Sequence, residues 1–109
     1  MESFLVFIES VPDPMVLSDR SGRIVLVNSN TETLLGYGRD ELLGKKVEIL
    51  IPARFHAQHP RHRADYYSSP SIRPMAIGRR ELPGHRRDGS EFRVQINLSP
   101  VHIRGETLV

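Results

Sequence analysis

Between Glu91 and Ser99 the chain alternates without a break: Phe92, Val94, Ile96 and Leu98 are apolar, and Arg93, Gln95, Asn97 and Ser99 between and after them are polar. Side chains along a strand point to opposite faces in turn, so this segment predicts a strand with one face in a core and the other in water. A chain built around such a segment needs an antiparallel sheet and apolar elements to cover it.

The rest of the sequence supplies both. Residues 15–17 and 23–28 are rich in Val, Leu and Ile and flank Ser18-Asp19-Arg20-Ser21-Gly22, which predicts a hairpin. Ahead of it, Phe4, Leu5 and Ile8 fall at helical spacing in residues 2–9, and Pro12 and Pro14 stop that helix. After the hairpin the period changes. Ser29 with Glu32 reads as a capping box for a helix of little more than one turn ending at Gly36. Residues 39–44 offer a second short helix closed by Gly44, and residues 47–51 a third apolar patch ended by Pro52. Helices this short do not stand alone and must drape over the sheet.

Residues 53–67 are helical in pattern, with Pro60 in the first turn or at a kink. A loop is expected at 68–74, a strand at 75–82, a turn at 83–90 signalled by Asp88-Gly89, the alternating strand at 91–99, and a last β-rich stretch at 101–109. The order is an α+β plan, an antiparallel sheet with helices over one face and a hollow between them.

One domain accounts for 109 residues, and at this length one core suffices without staples. The absence of cysteine excludes a disulfide scaffold, thiolate-ligated metal and a thiol nucleophile. The apolar run 4–8 is preceded by Glu2 and is too short for a span or a signal peptide, so a cytoplasmic location and no membrane insertion are expected. A net charge of +2 gives no expectation of nucleic-acid binding, but the charge is uneven. Residues 1–50 hold 5 basic and 8 acidic side chains, whereas 51–109 hold 10 arginines, 5 acidic side chains and all five histidines. There is no nucleophile elbow, no pair of catalytic carboxylates and no phosphate loop, which favours a regulatory domain over an enzyme.

Four stretches carry a resemblance: 19–28 (DRSGRIVLVN), 34–37 (LLGY), 41–45 (ELLGK) and 86–92 (RRDGSEF). In this order and at these distances they resemble the PAS sensor domain of bacterial signalling proteins, over essentially the whole chain. The resemblance implies a five-stranded antiparallel sheet in the order 2-1-5-4-3. It also implies a role in ligand binding or dimerisation, coupled to an output domain in cis, as in two-component systems. It implies further that the chain stops within its last strand, before the motif that usually leads to the output helix.

The pocket of such a domain is expected from Leu26, Leu35, Leu50, Phe55, His59, Met75, Arg80, Leu82, Val94, Ile96 and Leu98, the alternative being that these side chains simply fill the core. His59-Pro60 resembles the context of the axial histidine in haem-binding oxygen-sensor PAS domains, with Arg80 in the place of their distal arginine. That resemblance makes His59 the one metal-ligand candidate and haem the cofactor to test. Arg80 could equally pair with Glu32 or Glu48. Flavin is disfavoured because the photochemistry of flavin-binding relatives uses a cysteine. His56, His59 and His62 at three-residue spacing cannot all face one zinc ion. Phe4, Leu5 and Ile8 are candidates for a homodimer interface, against the alternative of a lid across the open face of the sheet. Tyr66 and Tyr67 are expected to close the apolar side of the long helix.

Overall fold

The computed structural model describes residues 2–56, 59–68, 72–74, 82–103 and 105–109, with the side chains of residues 2–5, 59, 61, 65, 73 and 74 outside that description. Strands β1 (Val16–Ser18) and β2 (Ile24–Val27) form the expected hairpin. Its register pairs Val16 with Val27, Leu17 with Leu26 and Ser18 with Ile24, which leaves Val25 opposite no residue, a β-bulge. The extra residue reverses the parity of the strand. Ile24 and Val27 enter a core with Leu35 and Leu42, while Leu26 enters a second core on the other face with Ile8, Leu17 and Leu108, and Val25 packs against that second core. The expectation that Leu26 lines the helix-covered face is therefore corrected, because simple alternation from Ile24 does not survive the bulge.

Helix α1 (Glu2–Glu9) is followed after the hairpin by α2 (Ser29–Leu35) and α3 (Arg39–Leu42), then by 3₁₀ turns at Val47–Leu50 and Ala53–Phe55. The cap of α2 is Asn28, one residue before the expected Ser29. Its side-chain oxygen accepts from the Thr31 backbone N–H at 3.2 Å, and asparagine is among the strongest N-cap residues. Glu32 instead accepts the Arg39 backbone N–H at 3.0 Å and so ties α2 to α3. The segment after α3 runs beside the start of β2, with the Gly44 N–H on the Ile24 carbonyl and the Ile24 N–H on the Lys45 carbonyl, both at 2.8 Å. Helix α4 (His59–Ser68) begins later than the expected residue 53, with Pro60 in its first turn, where a missing N–H costs nothing.

The second half holds β3 (Arg73–Pro74), β4 (Leu82–His85), β5 (Glu91–Val94), β6 (Asn97–Leu98), β7 (Val101–Ile103) and β8 (Glu106–Leu108). β3 pairs with β6, β4 with β5 and β7 with β8, all antiparallel. Ser18 and Val109 exchange both backbone hydrogen bonds, at 2.8 and 2.9 Å, and so bring β8 beside β1. Two expectations are corrected here. Pro83 and Gly84 belong to a strand, not to the turn: Gly84 faces Phe92 across the ladder, and the Phe92 ring fills the space a Cβ on Gly84 would occupy. The last β-rich stretch is a hairpin turning at Gly105, since β7 folds back on β8. The alternation of 91–99 does hold, with the apolar positions half-buried and the polar ones exposed.

Among the described residues the strands form four two-stranded antiparallel ladders, β8 lying beside β1 through the Ser18–Val109 bonds, and the β1–β2 hairpin is covered on both faces, not one. α2, α3 and the first 3₁₀ turn cover one side, with Val47, Ile49, Leu50 and Phe92 packed on the buried layer. Ile8 of α1 covers the other, with Met15, Val101 and Ile103 around it.

Candidate functional site

Of the expected pocket residues, Leu35, buried, and Leu50, half-buried, lie together in the helix-covered layer. Leu82 and Val94 are cross-strand partners, and Ile96 and Leu98 are half-buried on the same side of the alternating segment. Phe55 is exposed, with the Arg54 guanidinium 4.8 Å from its ring centre, and Arg54 forms a paired contact to Glu91 at 2.7 and 2.8 Å. Met75 and Arg80 lie outside the described residues, as does the side chain of His59, whose backbone opens α4. The two carboxylates weighed as partners for Arg80 have arginines beside them: Glu32 lies 3.8 Å from Arg39, and Glu48 lies 3.1 Å from Arg63.

The layer between sheet and helices is close-packed where it is described. Ile24, Val27 and Leu42 have essentially no exposure, which is the density of an ordinary core. An open groove lies at the end of α2, lined by Thr33, Leu34, Leu35, Gly36, Arg86, Arg87 and Asp88. There Arg86 donates to the Leu34 carbonyl at 3.0 Å and stacks 4.5 Å from the centre of the Phe92 ring, and the Arg87 N–H donates to the Leu35 carbonyl at 2.9 Å. Those bonds satisfy carbonyls that the end of a helix leaves open, so the two arginines close α2 more than they offer a binding site. Asp88 sits at the hairpin turn, where the Ser90 hydroxyl and N–H hold its carboxyl below the usual range.

Among the described residues no group of three His, Cys, Asp or Glu side chains is placed to hold a metal ion. The ring of His56 makes a 2.8 Å hydrogen bond with the Ile51 carbonyl, and His62 is exposed.

Ile8 is 2% exposed and plugs the second core, so its assignment to a dimer interface is corrected to that of an intramolecular cover. The outward residues of α1 are Val6, 71% exposed, and Phe7, 60% exposed. Phe4 and Leu5 carry side chains outside the description.

Three polar features escaped the sequence reading. Asn28, 1% exposed, donates to the carbonyls of Ile8 at 3.1 Å and Asp13 at 2.8 Å, and accepts from the Met15 N–H at 2.9 Å and the Thr31 hydroxyl at 2.8 Å. The Glu9 carboxylate takes the Ser29 hydroxyl at 2.7 Å, the Ser29 N–H at 3.1 Å and Arg39 Nη2 at 2.6 Å. The hydrogen bond from the Ser29 hydroxyl, then the charge of Arg39, holds the Glu9 carboxyl below its usual value. On α4, Arg63 pairs with the buried Glu48 at 3.1 Å, while Tyr66 and Tyr67, expected on the apolar side of this helix, are both buried, edge to face at 6.3 Å. Only the asparagine had a usable signal, its place immediately before a helical period.

With short helices over one face of the β1–β2 hairpin and an N-terminal helix over the other, the sequence matches the family described as PAS fold over residues 2–109. The chain belongs to the PAS family, whose members serve as sensor domains in signalling proteins. It is similar to the sensor protein FixL of Bradyrhizobium diazoefficiens, 29% identical over 99 residues that make up 91% of this chain and 19% of that protein. It is also similar to the oxygen sensor protein DosP of Escherichia coli, 29% identical over 91 residues, 84% of this chain and 11% of that protein. Among solved structures, the PAS domain of an HTR-like protein from Haloarcula marismortui superposes with a TM-score of 0.77 at 26% identity, over 98% of this chain and 84% of that one. The chain spans less than a fifth of the length of the curated relatives it matches. No helix among the described residues is long and apolar enough to cross a membrane.

Proposed function

We propose that this chain is the sensory and regulatory module of a larger cytoplasmic signal-transduction protein, which binds a small ligand or dimerises and passes the outcome to an output domain in cis. The observation that carries this reading is the family match along residues 2–109 combined with relatives of which the chain covers only a small part. Any catalysis then belongs to the output domain, a two-component histidine kinase among the candidates. The ligand would sit against the helix-covered layer, with Leu35, Leu50, Val94, Ile96 and Leu98 as apolar lining and Arg80 as the cation for an anionic or carbonyl-bearing group. A homodimer would use the outward side of α1, where Val6 and Phe7 stand. Absorbance and mass spectrometry of whatever co-purifies test the ligand, and sedimentation equilibrium tests the dimer. A ligand-free monomer that stays so in the presence of its natural C-terminal neighbour overturns the reading.

A second reading is a haem-based gas sensor, and it is favoured by the relative named as an oxygen sensor together with a histidine at the head of α4. His59 would supply an imidazole, and the half-buried apolar side chains Leu50, Val94, Ile96 and Leu98 would supply the apolar surroundings a porphyrin edge requires. Haem would supply the gas-binding iron, and His59 would hold it. A Soret band after haem reconstitution that shifts in His59→Ala supports this reading. Absence of the band, or an unchanged spectrum in the variant, removes it.

A further inference from the structure

Helix α4 (HPRHRADYYS) is mostly polar, so apolar packing is not the whole of what seats it. Two residues one turn apart, Arg63 and Tyr67, make directed contacts to the β1–β2 hairpin. The Arg63 guanidinium pairs with Glu48 and lies over Gly22, at a φ of +86° in the hairpin turn, where a Cβ would collide with it. The Tyr67 hydroxyl, on a ring 5% exposed, donates to the carbonyl of Ser18 at 3.1 Å. That same carbonyl accepts the Val109 N–H at 2.9 Å, and Ser18 returns its own N–H to Val109 at 2.8 Å and its hydroxyl at 3.3 Å. One backbone oxygen therefore serves both α4 and the residue that follows β8.

We infer that Ser18 is a coupling point through which the position of α4 is read out at β8, with Tyr67 and Arg63 as the positioning residues. The Tyr67 hydroxyl holds the Ser18 carbonyl in the direction from which the Val109 N–H meets it. When α4 shifts, the Tyr67 hydroxyl leaves or tilts the Ser18 peptide, and the two-bond pair with Val109 must readjust. Gly22 sets the distance, because only a residue without a side chain lets the guanidinium lie flat on the turn. In the sensory reading this gives the signal a route from α4 to β8. The inference rests on that reading for the direction of the signal only.

Amide hydrogen exchange by NMR on the 109-residue chain tests it. Tyr67→Phe keeps the ring and removes the donor. The expected result is exchange faster by roughly three- to tenfold at Ser18 and Val109, the equivalent of one hydrogen bond, with the Gly36 amide of α2 unchanged. Arg63→Ala, which removes the guanidinium that seats α4 on the hairpin without straining the turn at Gly22, is expected to give the same local pattern. Uniform acceleration that includes Gly36, or acceleration confined to α4, overturns the coupling. Failure to find any ligand would instead remove the sensory reading and leave this exchange pattern standing.

Discussion

The two faces of the β1–β2 hairpin are closed by different physics. On the side of α2 and α3, four side chains with almost no exposure, Ile24, Val27, Leu35 and Leu42, make a continuous apolar layer. On the side of α1, Ile8 is the buried apolar plug, and the helix is held by bonds from its C-terminal end: Glu9 to Ser29 and Arg39, and the Ile8 carbonyl to Asn28. Apolar burial is non-directional and indifferent to pH, whereas a set of charge-assisted hydrogen bonds depends on geometry and protonation. One face is therefore a fixed wall, and the other is a cover whose seating can be altered chemically.

The strongest way to break this comparison is Leu42→Ala. It should cost about 3 kcal/mol, since a wholly buried leucine loses both transfer energy and packing, and the loss should appear as a lower urea midpoint for the whole domain. Asn28→Ala should cost about 2 to 3 kcal/mol, because it removes a cap and leaves buried carbonyls and an N–H without partners. If it costs less than about 1 kcal/mol, α1 is not held by this side chain.

Ile8→Ala should cost about 2 kcal/mol, with early proteolytic cleavage in α1 while the helix-covered face remains protected. Acid sharpens the contrast. Because the folded value of Glu9 is depressed, its contribution is complete above the usual glutamate value of 4.5 and is lost as the pH falls through the lowered one. Fluorescence from a probe on α1 should report loosening over that acid range, and Glu9→Gln should abolish the pH dependence. The smallest effect belongs to Phe7→Ser on the outward side, within about 0.5 kcal/mol by thermal melting, unless the chain dimerises there and the melt becomes concentration-dependent.

How far these faces were legible in the sequence follows from what each is made of. Period-two alternation at 91–99 and the hairpin signal around 18–22 are local: they placed β1 and β2, and they merged into one strand what the structure divides into β5, paired with β4, and β6, paired with β3. The short helices were legible because Gly36, Gly44 and Pro52 punctuate them. The bulge at Val25 was not, since nothing in Ile24-Val25-Leu26-Val27 distinguishes an unpaired residue from a paired one. Gly84 was read as a turn because its reason for being glycine, the Phe92 ring, comes from another strand. The site fared unevenly. Leu35 and Leu50, expected in a pocket, are found in the packed layer under α2. The partnerships Glu48 with Arg63 and Tyr67 with Ser18 join residues 15 and 49 positions apart, beyond what any local pattern carries.

Asn28 joins segments that are 13 to 20 residues apart through a single amide, and its partners include the end of α1, the linker at Asp13, the residue before β1 and the first turn of α2. Such a junction makes those pieces rise and fall together. Residues 8–31 should behave as one cooperative unit in native-state exchange, opening at a common free energy, instead of fraying inward from the first helix.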